Sequence, residues 1–186
     1  MKIKTFIAGV MLSVAVAFPC SALDIDLAAV EKQIYTEFKK EVAPENILKV
    51  EQFKVIVDEV NAGKRNAYIL DLRMAEEFYT FHIEGADNIH AGHVYTIPKK
   101  IKDPNAEIYI FCRTSHRAYY VAHLMTRYGY TNVKILAGGM VAWLKAEYPV
   151  VNQYMGRFVA KYADFKKDYN KNFHETNYRV REFHPY

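Results

Sequence analysis

Cysteine is scarce in this chain: its 186 residues hold two, Cys20 and Cys112, too few for a disulfide framework. No repeat and no low-complexity tract is present, so solenoid and linker-like organisations drop out. Charge of one sign is also lacking. Twenty-five basic residues face 21 acidic ones, a formal charge of +4, and no basic stripe marks a nucleic-acid partner. The longest apolar stretch is short as well. It runs uncharged from Thr5 to Phe18, below the roughly 20 residues that span a bilayer. What the chain does have is 51% hydrophobic residues, enough for one compact domain with a core.

That short stretch has its own meaning. Lys2 and Lys4 precede it, and Pro19, Cys20, Ser21 and Ala22 follow as small residues fit for cleavage, the pattern of a secretory signal peptide over residues 1–22. Pro19 directly before Cys20 argues against a lipidated cysteine. Cleavage after Ala22 removes two lysines and no acid, which leaves a charge of +2 and Cys112 as the sole thiol. The mature protein is then expected in the periplasm or another exported space, soluble and without a membrane span. Cysteines there normally pair, so an unpaired one needs a reason.

Apolar residues at Ile25, Leu27, Ala28, Val30, Ile34, Tyr35 and Phe38 follow one helical face, and residues 23–46 read as a helical extension. Pro44 ends it. Ile47 to Val50 reads as a strand and Gln52 to Val60 as a helix with Gly63 beyond its end. Tyr68-Ile-Leu-Asp-Leu72, Ile108-Tyr-Ile-Phe-Cys112 and Val133-Lys-Ile-Leu136 are short apolar runs of the kind buried on both faces of a sheet. Helical stretches at Ala75–Phe81, Arg117–Tyr128 and Met140–Glu147 alternate with them. The fold class is therefore α/β, a central parallel sheet flanked by helices over residues 47–150, with sites beyond the carboxyl ends of the strands. Past Pro149 the chain turns rich in Tyr, Phe, Lys and Asn. Phe158, Tyr162, Phe165 and Tyr169 recur at helical spacing, which predicts an aromatic helix over 152–170 in a C-terminal extension, 151–186, suited to packing on the domain, to a protein partner or to a dimer.

Cys112 stands at one of the strand ends and is followed by Arg113, Thr114, Ser115, His116 and Arg117. These are too polar for a core, so this is no buried, inert cysteine. A loop that leads from a strand into a helix turns backbone N–H groups toward its centre. With the helix dipole and the two arginines, they favour a thiolate and would hold an anionic persulfide or an oxyanion.

Three ordered stretches resemble the rhodanese-like domain. They are Asp71-Leu-Arg-Met-Ala-Glu-Glu-Phe78 with His82-Ile-Glu-Gly-Ala-Asp-Asn-Ile89, then Tyr109-Ile-Phe-Cys-Arg-Thr-Ser-His-Arg117, then Tyr128 through the Gly138-Gly139 pair to Trp143. The resemblance covers about Ile47 to Pro149. It implies a sulfurtransferase in which Cys112 takes sulfane sulfur from a donor such as thiosulfate or polysulfide and passes it to a thiol or cyanide acceptor, with no cofactor. Four residues separate Cys112 from Arg117. Related phosphatases and arsenate reductases carry one more, so the shorter loop favours sulfur over phosphate. In this reading Arg113 and Arg117 bind the donor's oxyanion. Thr114, Ser115 and His116 supply amides, hydroxyls or positive charge, and Asp71 and Arg73 form a charged pin that supports the site. Competing readings are a persulfide carrier with little turnover and a phosphatase or arsenate reductase.

Two positions depart from the family pattern. Ser115 stands where glycine is usual, which is expected to strain or narrow the loop. Phe81 replaces a glycine before His82 and is expected to alter packing. Gly138-Gly139 reads as a sharp turn with Trp143 in the core. His90 and His93, three apart, lack a third ligand and do not make a metal site.

Overall fold

The computed structural model describes residues 25–161. The proposed signal peptide, 1–22, and most of the aromatic tail lie outside these residues.

β-Branched and aromatic runs form the sheet. β1 (Ile47–Leu48), β2 (Tyr68–Asp71), β3 (Asp87–Asn88), β4 (Ile108–Phe111) and β5 (Val133–Leu136) are all parallel, in the order β1-β5-β4-β2-β3. Asp71 stands opposite Phe111, and Ile110 opposite Ile135, so the ends of β2, β4 and β5 lie together.

The two-residue period of a strand divides the core. On one face Leu70, Ile108, Ile110, Cys112 and Ile135 pack with Tyr119, Ala122 and Met125 of α5 (His116–Arg127) and with Ile97 of α4 (Ile97–Lys100). On the other, Ile69, Tyr109, Phe111 and Leu136 meet Phe53 and Val57 of α2 (Val50–Asn61) and Met140 and Trp143 of α6 (Gly139–Lys145). Each such large apolar side chain contributes roughly 1.5–3 kcal/mol by leaving water. A short helix α3 (Ala75–Thr80) follows β2, and a 3-10 segment, Ala91–Thr96, precedes α4. Among the described residues no helix is long and apolar enough to cross a membrane.

The N-terminal extension is helical, as its spacing predicts. α1 (Leu27–Glu41) starts at Asp26, whose carboxylate accepts from the N–H groups of Ala28 and Ala29. Its register runs a little later than the pattern, and Ile25, Leu27, Val30 and Ile34 stay exposed. Tyr35 and Phe38 pack on aromatic rings of α5.

The C-terminal helix expected over 152–170 is not what the described part forms. β6 (Val150–Asn152) and β7 (Gly156–Phe158) make an antiparallel hairpin. Local turn chemistry overrides the aromatic spacing. The Asn152 side chain accepts from the N–H groups of Tyr154 and Met155, Gly156 takes φ +67°, and Val151 exchanges backbone bonds with His82. Residues 162–170 of that prediction lie outside the described residues.

Candidate active site

β4 delivers Cys112 to the sheet's carboxyl edge, where, against the expectation from its polar neighbours, the cysteine is buried, 1% exposed, because its side chain follows the strand's alternation onto the α5 face of the core. The backbone then turns through Arg113 and Thr114 into α5. Because the first N–H groups of a helix have no partner within it, the start of α5 offers donors to this loop. Two neighbours fix the loop's shape. The N–H groups of Met140 and Val141, at the start of α6, donate to the Cys112 and Arg113 carbonyls at 2.8 and 3.0 Å. Gly139 makes that approach possible: a Cβ on it would fall 2.4 Å from the Cys112 carbonyl oxygen, and its φ is +56°.

Ser115 is the residue just before α5. Its φ of +74° is left-handed, the backbone a glycine adopts freely and another residue takes at roughly 1–2 kcal/mol. The strain expected of this position is thus present, and it is offset locally. Ser115 is 3% exposed, and its hydroxyl donates to the Leu136 carbonyl at the end of β5 at 2.7 Å. That hydroxyl is committed to β5 and not to a bound oxyanion.

Of the two arginines proposed from sequence, Arg117 has its charge governed by Glu77 and, after it, by Cys112. Burial lowers its pKa, but the hydrogen bond and charge of Glu77, and then the charge and hydrogen bond of Cys112, outweigh this and raise it above the ordinary value. The Glu77 carboxylate accepts from Arg117 at 3.1 Å. Burial would raise the Glu77 pKa. The Arg117 hydrogen bond, the Met74 N–H and the charges of Arg117 and Arg73 more than reverse this and hold the carboxyl below its ordinary value. Arg113 is half-buried and contributes its carbonyl to the α6 contact. Thr114 is exposed.

His116 is turned toward α1. It is 48% exposed at the side chain, pairs with Glu31 at 3.1 Å and stacks on Tyr35. Asp71 and Arg73 form the expected charged pin, 0% and 3% exposed, with Nη2 to Oδ2 at 2.7 Å. Arg73 also donates to the Phe81 carbonyl at 2.7 Å and lies over the Phe81 ring. Phe81 is buried in the core, so the departure from glycine there is indeed one of packing. Sequence reasoning missed Glu77 as an arginine partner. Its signal was a glutamate three residues after Met74 that closes a capping box on α3, a weak one because Met74 is no ordinary cap. The rings of His90 and His93 meet edge-on, 5.8 Å apart, and no group of three metal-ligating side chains assembles among the described residues.

A strand-end cysteine in a four-residue loop closed by Arg117 is the arrangement the sequence motifs implied, and the family model for the Rhodanese-like domain matches residues 52–146. The chain belongs to this family. It is 27% identical over 132 residues to the adenylyltransferase and sulfurtransferase UBA4 of Meyerozyma guilliermondii, covering 67% of this chain and 31% of that protein. It is 32% identical over 96 residues to the putative sulfur carrier protein YrkF of Bacillus subtilis, covering 52% and 49%. The rhodanese-like chain thus spans a third to a half of the length of these two relatives. The thiosulfate sulfurtransferase of Pseudomonas aeruginosa shares its fold, with a TM-score of 0.54 at 20% identity, covering 74% of this chain and 26% of that one.

Proposed function

We propose that this protein is a sulfurtransferase that moves sulfane sulfur from thiosulfate or polysulfide to a thiophilic acceptor through a persulfide on Cys112. Membership of the rhodanese-like family and similarity to sulfur-handling relatives support sulfur transfer in general. The observation that carries the reading further is the loop of four residues between the strand-end Cys112 and Arg117, whose guanidinium feels the Cys112 charge.

In the proposed reaction the Cys112 thiolate attacks the outer sulfur of thiosulfate. A Cys–S bond to that sulfur forms, the bond to the sulfonate sulfur breaks, and its electron pair leaves on sulfite. An acceptor such as cyanide then attacks the persulfide's outer sulfur, thiocyanate departs, and the thiolate returns. Arg117 offsets the charge of the donor and of the departing sulfite, and the amides at the start of α5 hold the persulfide anion. Residues 1–22 fit a leader that places this activity in the periplasm or an equivalent exported space.

The test is incubation of the mature chain with thiosulfate, followed by mass spectrometry of Cys112 and assay of thiocyanate after cyanide. A gain of one sulfur atom on Cys112 with turnover is the expected result, absent in Cys112→Ser. Sulfur loading without turnover would replace the enzyme by a carrier, the reading that similarity to a putative sulfur carrier favours. Neither loading nor turnover with thiosulfate or polysulfide would overturn both.

A further inference from the structure

α1 lies outside the residues that match the family, yet it reaches the site. The Tyr35 ring stacks on His116, the first residue of α5, with centroids 4.3 Å apart and planes at 25°, and meets Tyr119 edge-on at 5.7 Å. It packs against the core cluster that contains Cys112, Ala118 and Tyr119. Glu31, one turn earlier on α1, accepts from the Tyr120 hydroxyl at 2.7 Å and pairs with His116 at 3.1 Å. These contacts hold the helix in register beside the Cys112 loop.

The two phenols at this junction are used differently. Tyr120 donates its O–H to Glu31, whereas the Tyr35 hydroxyl has no hydrogen-bond partner among the described residues. Burial, then the negative charge of Cys112, then that of Glu31, raise the Tyr35 pKa above its ordinary value. At neutral pH Tyr35 is therefore an uncharged donor with its proton uncommitted, stacked on the residue that begins α5 just after the Cys112 loop.

We propose that Tyr35 is a substrate-binding residue of this site: its O–H donates to the anionic group of the molecule that reacts at Cys112, the sulfonate of thiosulfate or the like. α1 thereby adds an anion contact from outside the family core. The identity of the donor rests on the sulfur-transfer reading; the anion contact does not.

Two alkylating reagents of similar size separate these claims in the full mature chain. Iodoacetate carries a carboxylate and iodoacetamide does not, and both react at the same thiolate, so the ratio of their rates at Cys112 reports anion binding with thiolate reactivity cancelled. Tyr35→Phe keeps the ring and its stack and removes only the donor. It is expected to lower the iodoacetate-to-iodoacetamide ratio by about tenfold, the scale of one hydrogen bond to a charged group, and to raise KM for thiosulfate more than it lowers kcat. Phe38→Leu, on the same helix and stacked on His123, perturbs docking alone and is expected to move both alkylation rates together. An unchanged ratio in Tyr35→Phe overturns the proposal. A lowered ratio in a protein that takes no sulfur from thiosulfate leaves Tyr35 as an anion contact and removes the donor assignment.

Discussion

The Ser115 hydroxyl donates to the Leu136 carbonyl at 2.7 Å, so the loop that leads from Cys112 into α5 is pinned to the neighbouring strand β5 by the residue whose backbone is left-handed. The two roles have opposite energetic signs. Removing the hydroxyl alone leaves the strain and orphans a buried carbonyl. Removing the whole side chain also relieves the strain.

Ser115→Ala is accordingly expected to destabilise the protein by about 1–2 kcal/mol, a lost buried hydrogen bond. Ser115→Gly should fall within about 1 kcal/mol of the parent, because relief of a left-handed Cβ offsets the lost bond. Urea unfolding of the three proteins measures both. A more stable Ala than Gly variant would contradict the account.

Gly139→Ala is expected to be far more damaging. The new Cβ would lie 2.4 Å from the Cys112 carbonyl oxygen at a φ of +56°, and backbone on either side cannot yield as a flexible side chain would. A loss of about 3 kcal/mol or more is expected from strain and overpacking, together with loss of sulfur loading on Cys112. Thermal unfolding and the Cys112 mass assay check the two effects.

Arg117→Ala should lower kcat/KM for thiosulfate by an amount equivalent to about 1.5–3 kcal/mol, the scale of a charge-assisted hydrogen bond. Steady-state kinetics with cyanide as acceptor gives the figure. An unchanged value would show that Arg117 serves only Glu77.

Glu77 sets a pH dependence of stability. Its folded pKa lies below the ordinary value of 4.5, so above that value the carboxylate contributes its full stabilisation, and the contribution is lost as pH falls through the folded pKa. The stability gap between the parent and Glu77→Gln should therefore be widest above about pH 5 and close on further acidification. Unfolding curves between neutral and acid pH measure it. A gap that widens on acidification would reverse the sign assigned here.

Asp71→Ala strands the guanidinium of Arg73, which is 3% exposed. A cost of about 3–5 kcal/mol is expected for an uncompensated buried charge. Replacing both residues, Asp71→Leu with Arg73→Met, should recover most of it. Denaturant unfolding of the single and double variants decides between a pin that acts by charge and a site that demands these two residues.

Much of this protein was legible from residue order because its causes are local. Runs such as Ile108–Phe111 announce a strand buried on both faces, the spacing in Arg117–Tyr128 announces a helix, and the polar loop between them follows a cysteine, itself buried, with neighbours that suit an anion. The parallel α/β sheet, Cys112 at a strand end and the Asp71–Arg73 pairing all follow from neighbours a few residues apart. Where two local signals competed, sequence alone chose badly: three aromatic spacings predicted a helix over 152–170, and in its described part the Asn152 turn with Gly156 made a hairpin. Tertiary structure decided what lies between distant segments. Glu77 meets Arg117 across 40 residues, Gly139 lies against the Cys112 carbonyl, Ser115 reaches β5, and Tyr35 comes to the site on a helix from outside the family core. These contacts depend on how helices are set down on the sheet, and that is determined by the summed packing of both core faces, which no short stretch of sequence contains.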